Sequence, residues 1–293
     1  MGGLVGGWAI TALGAESAPP PRVLNDAEGW QRFADQLGDQ YSQGRTPPLL
    51  EVRAQLNLRK RAVVDLARAS RRLVSPSDVY ENCSASVVAL GAIYKCTRCP
   101  HWHAGGTGTG WVIGREGEIV SNFHVFAEGR NTNVVAMGAL TRDGRCFPIR
   151  EILAADRERD IAIVRIDARD LPRLPVEIRE RVGKPVSIIA HPSGDLFTFT
   201  QGHVSRYMKR ATESGGSPLD WMCVTADFAI GSSGGPVLNE RGSVVAMVAR
   251  TQTINADPHS ESPTTQMVVK LTVPSESILT LVVPTTRGGR SGR

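Results

Sequence analysis

The chain has 293 residues, 41% of them apolar and 22% charged, which suits one large or two small globular domains and excludes a highly charged disordered chain. Its 30 glycines and 18 prolines imply frequent turns, as in proteins built from many short strands. The net charge of +5 is confined to residues 51–72, where seven basic residues face two acidic ones, so a nucleic-acid partner would have to be read by that window alone. A solvated amphipathic helix is the simpler reading of the window, and no nucleic-acid partner is expected.

Residues 4–15 form an apolar stretch that ends in small residues, with Ala12-Leu13-Gly14 in a small-x-small pattern. No Lys or Arg precedes Arg22, so the positive start of a signal peptide is missing. Residues 1–21 are read as a signal peptide and a Pro-rich linker, which implies an extracytoplasmic place, periplasmic or secreted. Twelve residues are too few to cross a bilayer, and no later stretch is long enough, so no membrane span is expected.

Residues 22–76 read as a helical extension. Asn25 and Asp26 cap a helix through Leu37 that places Trp30, Phe33 and Leu37 on one face. A second helix is predicted over residues 50–73, from apolar positions Leu56, Val63, Leu66 and Leu73. From residue 86 the pattern changes to β-type runs. Six are predicted at 87–94, 107–113, 118–121, 133–137, 147–153 and 161–166. Six more are predicted at 186–190, 198–205, 221–225, 236–238, 244–250 and 267–273. Two equal sets joined by a Pro-rich linker argue for two β-barrels, over residues 84–170 and 183–275. A terminal helix at 275–283 and a frayed tail at 286–293 complete a domain over 77–285.

The stretch TADFAIGSSGGPVLN packs glycines around two serines. A serine hydroxyl becomes a nucleophile only with a base to take its proton and donors to hold the oxyanion. Ser233 is the candidate nucleophile, and Ser232 projects elsewhere. Gly231 can adopt the positive φ that turns its amide inward. The amides of Gly231 and Ser233, with Ser232 between them as a third candidate, form the predicted oxyanion hole. His124, in IVSNFHVF, sits where a strand gives way to a turn and can act as base. Asp160, directly before the alternating strand that starts at Ile161, can accept the His124 Nδ1 proton. Asp156 is its rival.

The order His, Asp, Ser is that of the chymotrypsin arrangement and not that of subtilisins or α/β-hydrolases. GTGWVI, SNFHVF, DRERDIAIVRI, HPSGDLFTFTQGHVS, GSSGGPVLNERGSVVAMV and VVKLTVPSES resemble, in order, blocks of the trypsin-like serine peptidases of the HtrA/Deg type. The resemblance covers residues 84–281. It implies an all-β, chymotrypsin-like double six-stranded β-barrel with an N-terminal helical extension. His124 and Asp160 would come from the first barrel and Ser233 from the second. It departs from the family in three ways. Ser232 replaces the usual Asn before the nucleophile. Only some 20 residues follow the last predicted strand, so no PDZ domain is expected. Val125 follows His124, where secreted animal relatives have a bridged cysteine.

The expected function is a serine endopeptidase acting on protein or peptide substrates through an acyl-enzyme, with no cofactor required. The alternative is a catalytically silent or gated protease-fold scaffold. Asp227 lies six residues before Ser233, the spacing that puts an acid at the floor of a primary pocket for basic side chains. Arg250 is expected on a strand lining the same pocket, where it could neutralise Asp227. The family resemblance implies small aliphatic preferences instead, and both readings stand. Finally, YKCTRCPHWH offers Cys96, Cys99, His101 and His103 as zinc-type ligands within eight residues. A structural zinc, a Cys96–Cys99 disulfide and free thiols are all compatible with that spacing. Five cysteines do not pair completely within one chain. Oligomeric state is not readable.

Overall fold

Asn25 caps the first helix by accepting from the Glu28 amide, and α1 (Asp26–Ser42) then buries Phe33, Ala34 and Leu37. This computed structural model describes residues 23–58, 60–127, 133–257 and 264–285; the predicted signal peptide and the C-terminal tail lie outside them. Phe33 and Leu37 pack against Ala89, Ile93, Ala136 and Leu140. Burying two such side chains is worth about 3–6 kcal/mol, several times the contribution of the cap. The opposite end of the contact is polar. Gln36 and Gln40 bond the backbone of Gly144 and Cys146, while Trp30 Nε1 donates to Gly194 O at 2.7 Å. The helix therefore spans both sheets described below.

The second predicted helix stops early. α2 (Leu49–Ala54) runs into a short 3₁₀ turn, and β1 (Ala62–Val64) follows. The helical spacing of Leu56, Val63, Leu66 and Leu73 does not describe the buried face, because Val63 and Leu73 are exposed. Ala62 and Val64 are buried instead, in strand alternation. The segment is held extended by pairing, Ala62 with Val282 and Val64 with Pro284. Arg173 adds a 2.9 Å ion pair to Asp65. The basic residues of this window are consequently not displayed on one helical face. α3 (Pro76–Cys83) begins with a capping box between Ser75 and Asp78.

The first sheet comprises β2 (Val87–Lys95), β3 (Trp102–Val112), β4 (Glu118–Ser121), β5 (Val134–Thr141), β6 (Cys146–Pro148), β7 (Glu151–Asp156) and β8 (Ile161–Arg165). The helical turn α4 (Phe123–Phe126) follows β4. Strand order is β6-β5-β2-β3-β4-β8-β7, seven strands where six were predicted. The predicted strand at 147–153 is divided between the two edges. Ile149 N bonds Met137 O on one side, and Arg150 N bonds Arg165 O on the other. The bend between these two residues lets one continuous segment join both edges, so the sheet curls on itself.

The second sheet is a closed six-stranded barrel of β9 (Pro185–Ala190), β10 (Thr198–Arg210), β11 (Leu219–Val224), β12 (Pro236–Leu238), β13 (Val244–Asn255) and β14 (Thr265–Pro274). A short helix, α5 (Ser275–Leu279), and β15 (Val282–Pro284) replace the single terminal helix predicted at 275–283. The β-branched pair Val282-Val283 lies in parallel with β1. Among the described residues no helix is long and apolar enough to cross a membrane.

Candidate active site

His124 stands in the turn α4 and Asp160 at the entrance of β8. The Asp160 carboxylate accepts from His124 Nδ1 at 2.8 Å (Oδ2) and from the His124 backbone amide at 3.0 Å (Oδ1). Its side chain is 7% exposed, whereas that of His124 is 51% exposed. The carboxylate is thus sheltered and the imidazole is open to solvent. Asp160 itself has φ +56, a left-handed conformation that short polar side chains tolerate. Asn122 fixes that corner by donating from Nδ2 to Asp160 O at 2.9 Å. Asp156 is engaged elsewhere, in a 2.7 Å ion pair with Arg159.

Ser233 lies in the loop between β11 and β12. Gly231 has φ +91 and Gly234 φ +88. The Ser232 amide donates to Ala229 O at 3.0 Å, and Ser232 Oγ accepts from the Ala229 amide. Ser232 therefore cannot serve the predicted oxyanion hole, since its donor is consumed in the turn. Among the described residues the amides of Gly231 and Ser233 have no protein acceptor. Two unspent N–H groups, one on either side of Ser232, thus precede the Ser233 side chain. The Ser233 hydroxyl donates to Ala249 O at 3.4 Å.

The loop is clamped from the first sheet by Thr109, a residue not singled out in the sequence. Its amide donates to Ser233 O at 2.8 Å, and its hydroxyl donates to Gly231 O at 2.9 Å. Ser121 Oγ in turn donates to Thr109 O at 2.7 Å. A side chain at Gly234 would overlap both the Thr109 carbonyl and the Ser121 hydroxyl. Only glycine permits this approach. The alternating GTGTGW run was the available signal, a small residue at every second position of a strand that another backbone approaches closely.

Two cavities meet at His124. One, of about 430 Å³, is polar and runs past Asp160, Trp221, Ala249 and Arg250. The other, of about 400 Å³, runs past Ser233 and Gly231 to Leu90, Val125, Met137 and Ile230. Arg53 reaches its rim, and donates from Nε to the Phe126 carbonyl at the end of α4. Leu49, Val52 and Leu56 pack in the same apolar cluster as Phe123 and Phe126, so the extension buttresses the turn that holds His124.

Asp227 and Arg250 are not the pocket pair expected. The Asp227 carboxylate is 84% exposed and forms an ion pair with Lys270. It is therefore exposed rather than at the floor of an enclosed pocket, and its partner Lys270 on β14 is the more buried of the two. Arg250 stacks over Trp221 at 5.1 Å and lines the polar cavity instead. Of the four proposed metal ligands, Cys96, Cys99 and His103 come together at the β2–β3 turn, and His101 stays outside the group.

Residues 108–247 match the trypsin-like peptidase domain family. That match covers just under half of the chain. A putative serine protease, HhoB, of Synechocystis is 31% identical over 146 residues, 48% of this chain and 34% of that protein. A probable periplasmic DegP-like serine endoprotease of Halomonas elongata is 32% identical over 144 residues, 48% of this chain and 28% of that protein. The chain thus spans about a third of the length of these curated relatives. Among solved structures, the HtrA-type protease AlgW with a decapeptide superposes with a TM-score of 0.56 at 20% identity, covering 70% of this chain and 66% of that one. The two sheets described above therefore share the double-barrel fold of that structure. The match begins at Gly108 and ends at Met247, so it takes in His124, Asp160 and Ser233 but leaves out α1 and α2.

Proposed function

We propose that this chain is a serine endopeptidase that hydrolyses peptide bonds in protein substrates through Ser233, His124 and Asp160. The observation that carries the reading is the His124–Asp160 pair opening onto a cavity that also holds Ser233, whose own amide and that of Gly231 are unspent. Asp160 fixes the imidazole with Nδ1 protonated, which leaves Nε2 as the base. Ser233 Oγ attacks the substrate carbonyl as its proton passes to His124 Nε2. The amides of Gly231 and Ser233 hold the oxyanion; each such donor is worth about 3–4 kcal/mol of barrier. The imidazolium returns the proton to the leaving amine, and water then releases the acyl group from Ser233.

The resting position of Ser233 supports a gated form of the same reading. Its hydroxyl is bonded to Ala249 O, and no hydrogen bond joins it to His124 among the described residues. Ala249 is the extra residue of a bulge, because Val248 pairs with Thr272 and Arg250 with Leu271. A peptide laid in extended form along β13 would offer a backbone N–H to the Ala249 carbonyl. That contact would displace the hydroxyl toward His124. The decapeptide in the AlgW structure supports a peptide as the substrate class. The Halomonas relative, named as periplasmic, supports an extracytoplasmic place.

A fluorophosphonate probe tests the chemistry. It should modify Ser233 in the full chain, with casein hydrolysed in parallel, and both signals should vanish in Ser233→Ala. Absence of labelling and hydrolysis in the folded protein, even with peptide added, would leave only a silent scaffold.

A further inference from the structure

The tip of the β2–β3 hairpin gathers a second set of reactive side chains. Cys96 Sγ lies 3.2 Å from Cys99 Sγ, and Cys99 Sγ lies 3.0 Å from His103 Nε2. The three donor atoms fall within 4.8 Å of one another, the one such grouping of potential ligands among the described residues. His103 is fixed by the sheet rather than by the turn. It pairs with Tyr94 across the hairpin, and the two rings stack at 5.4 Å. The imidazole is thus aimed at the cysteines before any ligand arrives.

We propose that Cys96, Cys99 and His103 bind one soft divalent cation, zinc by its chemistry, with solvent in the fourth position. Two thiolates and a neutral imidazole balance the charge of such an ion, and binding releases the two thiol protons. Tetrahedral bonds of about 2.3 Å to sulfur and 2.0 Å to nitrogen require S···S near 3.7 Å and S···N near 3.5 Å. The two close contacts, Cys96–Cys99 and Cys99–His103, need to open by only about half an ångström, within reach of small side-chain rotations. A Cys96–Cys99 disulfide would use the two sulfurs alone and leave the Cys99–His103 contact without a purpose. The absence of a carboxylate from the group disfavours calcium or magnesium.

The site would act on the structure around it. Trp102, between the ligands, meets Tyr41 of α1 edge-on at 5.6 Å, and Lys95 lies 4.6 Å over its ring. Further along β3, Gly105, Gly106 and Gly108 line the apolar cavity beside Ser233. An ion at the tip would clip the hairpin, hold it against α1 and steady that wall.

The test uses the full chain, reduced and freed of metal, titrated with Zn²⁺ and separately with Co²⁺ as a spectroscopic probe. One equivalent of Co²⁺ should give thiolate-to-metal charge-transfer and tetrahedral d–d bands. These should be lost in Cys99→Ser, weakened in His103→Ala, and retained in His101→Ala and Cys83→Ser. Zn²⁺ should also protect two of the five cysteines from alkylation in the unmutated protein. That readout stands even where a cysteine variant fails to fold, and it does not depend on peptidase activity. Alkylation of all five at a rate unchanged by Zn²⁺, with no cobalt bands, would overturn the proposal. Loss of binding in His101→Ala would overturn the three-residue ligand set.

Discussion

Lowering the pH from 7 to 5 should destabilise this fold through His191, a residue outside the catalytic group. His191 is fully buried, between the second barrel and Thr109, whose hydroxyl accepts its amide at 3.2 Å. Its Nδ1 accepts the Phe197 amide at 2.9 Å, and its ring meets that of Phe197 edge-on at 4.7 Å. Protonating Nδ1 would break that hydrogen bond and place a charge where water does not reach. Burial accordingly pulls the imidazole from its ordinary 6.5 down to about 3. The unfolded chain therefore binds a proton below about pH 6.5 that the folded chain refuses until about pH 3, and stability falls as pH drops through that window. Between pH 7 and 5 the loss is about 2 kcal/mol, since each unit below 6.5 costs about 1.4 kcal/mol. Urea unfolding at both pH values, for the wild type and for His191→Asn, isolates this contribution. Asn can keep an acceptor for the Phe197 amide but does not titrate. Other groups shift both proteins alike, so the wild type should lose about 2 kcal/mol more than the variant on acidification. An equal pH response in the two proteins would refute the reasoning.

Further outcomes follow from the site. Asp160→Asn should leave the fold intact but lower kcat by about 10⁴, because an amide nitrogen in the place of Oδ2 donates to Nδ1 and holds the imidazole in the wrong tautomer; a steady-state assay on an unstructured protein substrate reads this directly. Gly234→Ala combines a side chain at φ +88 with overlap onto Thr109 and Ser121. It should cost about 2–5 kcal/mol by chemical denaturation and reduce fluorophosphonate labelling, whereas a full-strength label would show that the clamp is not needed. Asp227→Asn should leave the preference for the residue before the scissile bond unchanged on a peptide library, since its carboxylate is exposed and paired with Lys270. A selective loss of Lys and Arg cleavage would return that acid to the substrate pocket.

The candidate site residues were more legible than their supports. His124, Asp160 and Ser233 stand beside strong local signals: a strand end, an alternating strand and a glycine cluster. The strand runs of the second barrel were equally plain, because Val186, Ile188 and Ala190 alternate into one core. Thr109, by contrast, acts through its backbone amide and a short hydroxyl, and neither leaves a mark in hydropathy. Asp227 misled because spacing along the chain says nothing of Lys270, which reaches it from β14. The helix predicted over 50–73 failed for a related reason. Its spacing fits a helix, yet the partner that decides the outcome, β15, lies more than 200 residues away in sequence. Tertiary pairing then overrides a weak local preference.

The clamp also limits how this site can be switched. Thr109 belongs to the strand system that carries His124 and Asp160, and it grips the Ser233 loop and the His191 backbone across the barrel boundary. Rotating one barrel against the other would break three buried hydrogen bonds at once, at about 1–3 kcal/mol each for the polar groups left unpaired. Turning the Ser233 hydroxyl from the Ala249 carbonyl toward His124 breaks one long bond of 3.4 Å. The two costs differ several-fold, so on the proposed reading control would fall to whatever competes for the Ala249 carbonyl. An extended peptide laid along β13 would supply that competitor itself, in its first backbone N–H.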